Sequence, residues 1–232
     1  VGRYYRYSTT TNAVLLDRYA DFFVKKDFHL LISLDGDEKG QSYRVYKNGL
    51  NSFDTVYKNI KLLQEKYPDY FVTNVNFNSV IHNRNGVAAA HYFIKKEFGK
   101  DARLSSLSPM GLRKDKKKEA DEIYCNIFSS IKEAPECEAL ESELFVNNPQ
   151  TYGLILNIHR YSGNIYNNYS QLLFDRNKSP KLPTGTCIPF SKKMFITVKG
   201  RILQCEKIDH RFSLGNVDDE KVTLDFDLIA KR

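Results

Sequence analysis

The 232-residue chain carries 35 Lys and Arg against 28 Asp and Glu, a net charge of +7, with 41% apolar and 27% charged residues. These values exclude a mini-protein scaffold, a disordered tail and a coiled coil, and they predict a soluble globular fold of one large or two small domains. The positive balance permits anionic partners without specifying one, and fifteen Tyr and fifteen Phe without a Trp promise a core rich in flat rings. No run approaches the roughly 18 apolar residues of a membrane span. The start lacks a signal-peptide pattern and an initiator Met. Four widely spaced Cys lack the density of a secreted disulfide framework. The expectation is a cytoplasmic protein with further chain before residue 1.

Aromatic and polar residues alternate over 3–8 as in a strand, and Thr9-Thr10-Thr11-Asn12 ends that pattern before Leu15, Leu16, Tyr19, Phe23 and Val24 recur at helical spacing. Residues 29–34 are almost continuously apolar and are stopped by Asp35-Gly36, the mark of a strand buried on both faces of a parallel sheet. Ser52 is placed to cap a helix whose Phe53, Val56, Ile60 and Leu63 form one stripe, ending near Tyr67-Pro68. Residues 71–81 alternate throughout and predict a strand with Phe71, Val75, Phe77 and Ile81 on one face and Asn74, Asn76 and Asn78 on the other. After Asn83-Arg84-Asn85-Gly86, a helix with Val87, Ala90, Phe93, Ile94 and Phe98 inward leads to a fourth strand at 102–107. This alternation predicts an α/β fold with a parallel sheet, open or curled into a partial barrel, and a site in the loops after the strand C-termini.

Past Pro109 the alternation stops. A Lys-rich stretch at 113–118 leads into a helix through Ile123, Ile127, Phe128 and Ile131, residues 154–159 predict more helix, and 176–185 read as a linker. Residues 194–198 and 201–204 flank Lys199-Gly200 as a hairpin, and 224–230 are helix-like. The expected organisation is a barrel segment over 1–110, a helical insertion and linker over 111–180, and a small second domain over 181–232. The five His show no pair at metal-ligand spacing.

Three pieces then occur in order: Thr10-Thr11-Asn12-Ala13-Val14-Leu15-Leu16; Ile32-Ser33-Leu34-Asp35-Gly36; and Tyr43-Arg44-Val45 with Lys47-Asn48-Gly49, Ser52-Phe53-Asp54 and Lys58-Asn59-Ile60. Later, Cys187 is followed after twelve residues by Gly200 and after four more by Cys205. In this order and spacing the chain resembles radical S-adenosylmethionine enzymes of the anaerobic sulfatase-maturase and peptide-maturase group, and its end resembles the opening of their SPASM auxiliary-cluster domain.

The resemblance implies a partial (β/α) barrel of the radical S-adenosylmethionine type, followed by the beginning of a small iron-sulfur domain. It implies S-adenosylmethionine and 4Fe-4S clusters as cofactors, a peptide or protein substrate that loses hydrogen, and a reductant such as flavodoxin or ferredoxin, with neither membrane nor nucleic acid as partner. The family's CxxxCxxC loop and Gly-Gly-Glu segment do not occur in these residues, so the chain is expected to be an inactive internal piece of a larger enzyme.

By the same resemblance, Ser33 and Arg44 contact S-adenosylmethionine, Arg44 through its carboxylate. Thr11 and Asn12 line the same cleft, with Ala13 standing where the family has Gly. Cys187 and Cys205 are implied auxiliary-cluster ligands through their soft thiolates, Cys125 and Cys137 being structural. Glu206 takes the place of an Asp that acts as general base. The residues alone also allow Ser33 to be a strand-end cap, Arg44 a surface ion pair, Cys187 and Cys205 plain core thiols, and Glu206 a solvated partner of Lys207. Periodicity adds Asn74, Asn76 and Asn78 as amide donors and acceptors toward cofactor or peptide if their face points inward, Asn76 at the centre; outward, they are ordinary strand polar residues. Two other classes remain: a non-catalytic basic module binding peptide or nucleic acid through Lys114 to Lys118, and a cluster-free α/β enzyme, for which no Gly-rich phosphate loop is present.

Overall fold

The computed structural model describes residues 6–107, 114–144, 190, 194–206 and 208–230. The chain divides into two compact units, Val1–Leu154 and Ile155–Arg232. In the first, β1 (Ser8–Thr11), α1 (Leu16–Lys25), β2 (His29–Ser33), α2 (Phe53–Lys66), α3 (Pro68–Asn74), β3 (Val75–Ile81), α4 (Val87–Phe98) and β4 (Ala102–Ser106) follow in turn, and α5 (Lys117–Ile123), α6 (Ile127–Lys132) and α7 (Cys137–Leu144) complete it. The four strands are all parallel and lie in chain order, β1-β2-β3-β4. This is the α/β partial barrel that the alternation predicts.

Register explains which side chains meet. Thr11, Ile32, Phe77 and Ala102 share one row, and Ser33, Asn78 and Arg103 another. Ile32, Phe77 and Ala102 of the first row point into the core, where with Leu30, Val75 and Leu104 they pack against Leu16, Val56, Ile60, Ile94 and Phe98 from the helices. Phe77 and Phe98 stack at 4.9 Å between ring centroids. The stripe at Val56, Ile60 and Leu63 is buried as its spacing requires.

Three boundaries in this unit differ from the sequence reading. The single helix expected through Ile123, Ile127, Phe128 and Ile131 is two, α5 and α6, because Asn126 Oδ1 caps a new start by accepting from the Phe128 and Ser129 amides. The first strand is Ser8–Thr11, so the threonines read as a break are themselves strand; their β-branched side chains suit a ladder in which Ser8 to Thr11 pair with His29 to Ile32. Residues 1–5 lie outside the described residues. The alternation over 71–81 is half helix: Pro68 and Asp69 in the first turn start α3, which runs to Asn74. The spacing of Phe71 and Asn74 satisfies a helical period as well as the start of the alternating run. Asn74 is therefore a structural residue, its amide donating to Asp27 Oδ1 at 2.8 Å and to the Phe28 carbonyl at 3.2 Å.

The second unit contains β5 (Phe195–Ile196), β6 (Arg201–Leu203), β7 (Gly215–Val217), β8 (Val222–Leu224) and α8 (Phe226–Ala230), the strands antiparallel in order β5-β6-β7-β8. The hairpin around Lys199-Gly200 forms. Gly200 has φ +74°, and a Cβ there would lie 2.0 Å from the Val217 carbonyl oxygen, so glycine is needed both for the turn and for the approach of β7. The β7–β8 hairpin has no counterpart in the sequence reading; Asp218 Oδ1 closes it by accepting from the Glu220 and Lys221 amides. The helix-like end splits accordingly, with 222–224 as strand and helix only from 226. The helix expected at 154–159, the linker at 176–185 and Cys187 lie outside the described residues.

Candidate functional site

The loops that follow β2 and β3 close over the carboxyl ends of the sheet, where open α/β folds bind ligands. Leu34 continues β2 by donating its amide to the Asn78 carbonyl at 3.1 Å. Asp35 then turns inward, with 3% of its surface exposed. Its Oδ1 accepts from the Val80 amide at 2.8 Å and from Arg44 Nη2 at 2.9 Å, and its Oδ2 accepts from Arg44 Nε at 2.6 Å. The pair is a two-pronged ion pair of the kind that fixes a guanidinium in one plane. Gly36 follows at φ +121°, a conformation that side-chain-bearing residues rarely adopt. Each residue of Ser33-Leu34-Asp35-Gly36 thus has its own role, respectively strand end, core, ion pair and turn.

The loop after β3 is locked to the same place. Asn85 donates to the carbonyls of Asp35 and Val80 at 2.7 and 3.0 Å and accepts from the His82 amide at 2.8 Å. His82 is buried; its Nε2 lies 3.0 Å from the Gly40 carbonyl and its Nδ1 accepts from the Arg84 amide at 3.1 Å, which assigns the proton to Nε2. Burial pushes its pKa below the usual imidazole range. Tyr43 meets the His82 ring edge-on, carries the Arg84 guanidinium 3.9 Å above its own ring, and donates its hydroxyl to Asn83.

Between these loops a cavity of about 340 Å³ opens beside the first turn of α4, lined by Asp35, Asp37, Lys39, Asn83, Arg84 and Ala90 among others. Its lining mixes both charges with amides, and it contains no cysteine, histidine or hydroxyl nucleophile.

The residues singled out in the sequence fall into four groups. Ser33 and Arg44 belong to these strand-end loops, and Arg44 is held by Asp35, a partner that the sequence reading did not assign. Thr11 and Asn12 end β1 in their own turn: Thr11 Oγ1 accepts from the Ala13 amide at 3.0 Å and Asn12 Oδ1 from the Val14 amide at 3.2 Å. Ala13 takes φ +57°, the left-handed conformation for which the resembling family uses Gly, so the turn is kept at some steric cost. Asn59 secures it by donating to the Ala13 and Val14 carbonyls.

Asn76 and Asn78 lie on the sheet face opposite the buried Val75, Phe77 and Ile81; Asn76 is exposed, and Asn78 accepts from the Ser105 hydroxyl at 2.7 Å. In the second unit, Cys205 Sγ lies 3.6 Å from Glu206 Oε2, so the thiol and the carboxylate are adjacent. The sequence reading missed Asp35, His82 and Asn85, although the Asp35-Gly36 stop and the Asn83-Arg84-Asn85-Gly86 turn marked both loops.

No family model matches the chain, and no curated protein matches it. Solved structures do. Native anSMEcpe with bound AdoMet, an anaerobic sulfatase-maturating enzyme, aligns at a TM-score of 0.56 and 16% identity, covering 97% of this chain and 56% of that one. A polyhistidine-tagged form of anSMEcpe with bound AdoMet aligns at 0.58 and 18% identity with the same coverage. The chain spans little more than half the length of these structures. The chain shares with these structures the fold of a partial (β/α) barrel with a parallel four-stranded sheet. Among the described residues, no helix is long and apolar enough to cross a membrane.

Proposed function

We propose that this chain forms part of a radical S-adenosylmethionine maturase that modifies a peptide or protein, with the cofactor held by the loops after β1, β2 and β3. The observation that supports this most is the likeness of the parallel sheet to that of a structure with AdoMet bound, joined to the Ser33 and Arg44 motifs at the carboxyl ends of its strands. The geometry suits the assignment. Asp35 engages two of the five N–H donors of Arg44 and sets its plane, and 29% of the Arg44 side chain is exposed, so an amino-acid carboxylate has an oriented cation to meet.

Ser33 brings a hydroxyl to the end of β2, in the row of Asn78, and Asn76 adds an exposed amide on that face. Thr11 and Asn12 shape the β1 end of the same cleft through the turn they cap. When bound, S-adenosylmethionine supplies the hydrogen-abstracting chemistry of this group of enzymes.

The radical-generating cluster needs three Cys in a CxxxCxxC loop, and the four Cys of this sequence do not form one. These residues do not fit that cluster, and no step is derived through it. In the second unit we assign Cys205, with Cys187, as thiolate ligands of an auxiliary cluster, and Glu206 beside Cys205 as the base that receives a substrate proton. A flavodoxin or ferredoxin is the assigned reductant.

Calorimetric titration of the chain with S-adenosylmethionine tests the reading. Loss of the charge-assisted hydrogen bonds in Arg44→Met should weaken binding about tenfold or more, Ser33→Ala less, with the circular dichroism of both variants unchanged. Equal affinity in wild type and both variants, or no binding by the wild type, would falsify the assignment.

A further inference from the structure

Away from the strand-end loops, three side chains distant in sequence converge. His91 of α4, Asp101 in the turn before β4 and Glu143 of α7 each offer a ligand atom, and these atoms all lie within 4.8 Å of one another. His91 is 0% exposed, and neither of its ring nitrogens has a hydrogen-bond partner among the described residues. Its Nε2 is 3.2 Å from Glu143 Oε1. A fully buried imidazole without a hydrogen bond demands an explanation, because buried polar groups are nearly always satisfied.

We infer that His91, Asp101 and Glu143 form a divalent-cation site of the Zn2+ class that ties α7 to α4 and to the start of β4. One imidazole nitrogen and two carboxylate oxygens are a borderline-hard donor set that suits Zn2+, leaving a fourth position for water. The two carboxylates balance the charge of the ion. Zn2+ ligands of these types sit at roughly 2.0–2.2 Å from the ion. Asp101 is exposed and gives the ion a route in from solvent.

Lys95, one turn beyond His91 on α4, pairs with Glu143, and its side chain is 48% exposed. Its ammonium neutralises one carboxylate in the metal-free protein and turns out to solvent when a dication takes its place. The benefit falls on α7, an eight-residue helix too short to persist alone, which Leu140 and Leu144 otherwise anchor. None of the three ligands lines the strand-end cavity, so this inference stands apart from the maturase reading.

Titration of the full chain with ZnCl2 and CoCl2, following absorbance and thermal unfolding, provides the test. The wild type should take up Co2+ with visible ligand-field bands that persist in Asp101→Asn only at tenfold or higher metal concentration, and Zn2+ should raise its unfolding temperature. Glu143→Gln should weaken uptake likewise, and Lys95→Met should tighten it. Asp101 is exposed, so its variant tests the site without disturbing the core. Identical metal affinity in the wild type, Asp101→Asn and Glu143→Gln would overturn the assignment, as would a spectrum showing only thiolate-to-cobalt charge transfer or no uptake at all.

Discussion

In the Val1–Leu154 unit four parallel strands lay one face against helices, and burial extends from Ala13 to Leu144 through a single cluster. Among the described residues of the Ile155–Arg232 unit, four short antiparallel strands are joined by ladders and turns, and the buried apolar residues are Ile202, Leu203 and Leu214. The contrast teaches where stability can come from. Parallel crossovers bring helices onto the sheet and bury one of its faces in a shared core, whereas a short antiparallel sheet is joined locally, strand to strand, by its turns. The first unit can therefore carry a precisely arranged site on its strand ends, and the second is where loss of one turn should be felt throughout.

The largest expected effect that sharpens this contrast is Phe77→Ala, which removes a fully buried ring stacked on Phe98. It should lower the stability of the first unit by about 3–5 kcal/mol in urea unfolding, and an equal shift in probes of the second unit would break the distinction. Asp35→Ala should follow, at about 2–3 kcal/mol, because it strands the partly buried Arg44 and leaves the Val80 amide unpaired.

Gly200→Ala forces a Cβ toward the Val217 carbonyl at positive φ and should cost about 2 kcal/mol. Hydrogen exchange should show Ile202 and Leu214 losing protection while β1 to β4 keep theirs; loss in both would merge the two units into one.

Acid provides a gentler probe of the first unit. His82 and His91 both titrate below the ordinary imidazole value of 6.5 because burial disfavours their charged forms. The unfolded chain therefore binds more protons than the folded one as pH falls below 6.5, so stability is intact above that value and declines with acidification below it. Urea midpoints followed from about pH 7.5 down to about pH 5 should show the decline, and a flat profile would refute it. Smallest of all, Lys66→Ala removes an exposed ion pair with Asp21 and should leave the unfolding midpoint where it was, as screened surface pairs do.

Much of the first unit was legible because the period of apolar residues is a local property. Leu30 and Ile32, or Val56 and Ile60, report their burial without reference to distant chain. The errors arose where two periods fit one stretch, as at Phe71 and Asn74, or where pairing overrode local pattern, as at Thr9 to Thr11. The strand-end loops were half legible: Ser33 and Arg44 stood out by resemblance, while Asp35, which actually orients Arg44, passed as the stop after a strand. The search for His pairs at metal spacing could not find His91 with Asp101 and Glu143, since their proximity is made by α4, the head of β4 and α7 packing together.

By itself, then, the sequence determined the strand–helix alternation of residues 8–106, the parallel sheet that this alternation requires, and the glycine at the Lys199-Gly200 turn, because backbone sterics and side-chain periodicity act over a few neighbours. Only the tertiary structure decided that Asp35 holds Arg44, that Asn74 serves a helix end rather than a cleft, and that a buried histidine faces two carboxylates. Those are contacts between segments whose separation is closed by the fold, and nothing in the local chemistry of either partner names the other.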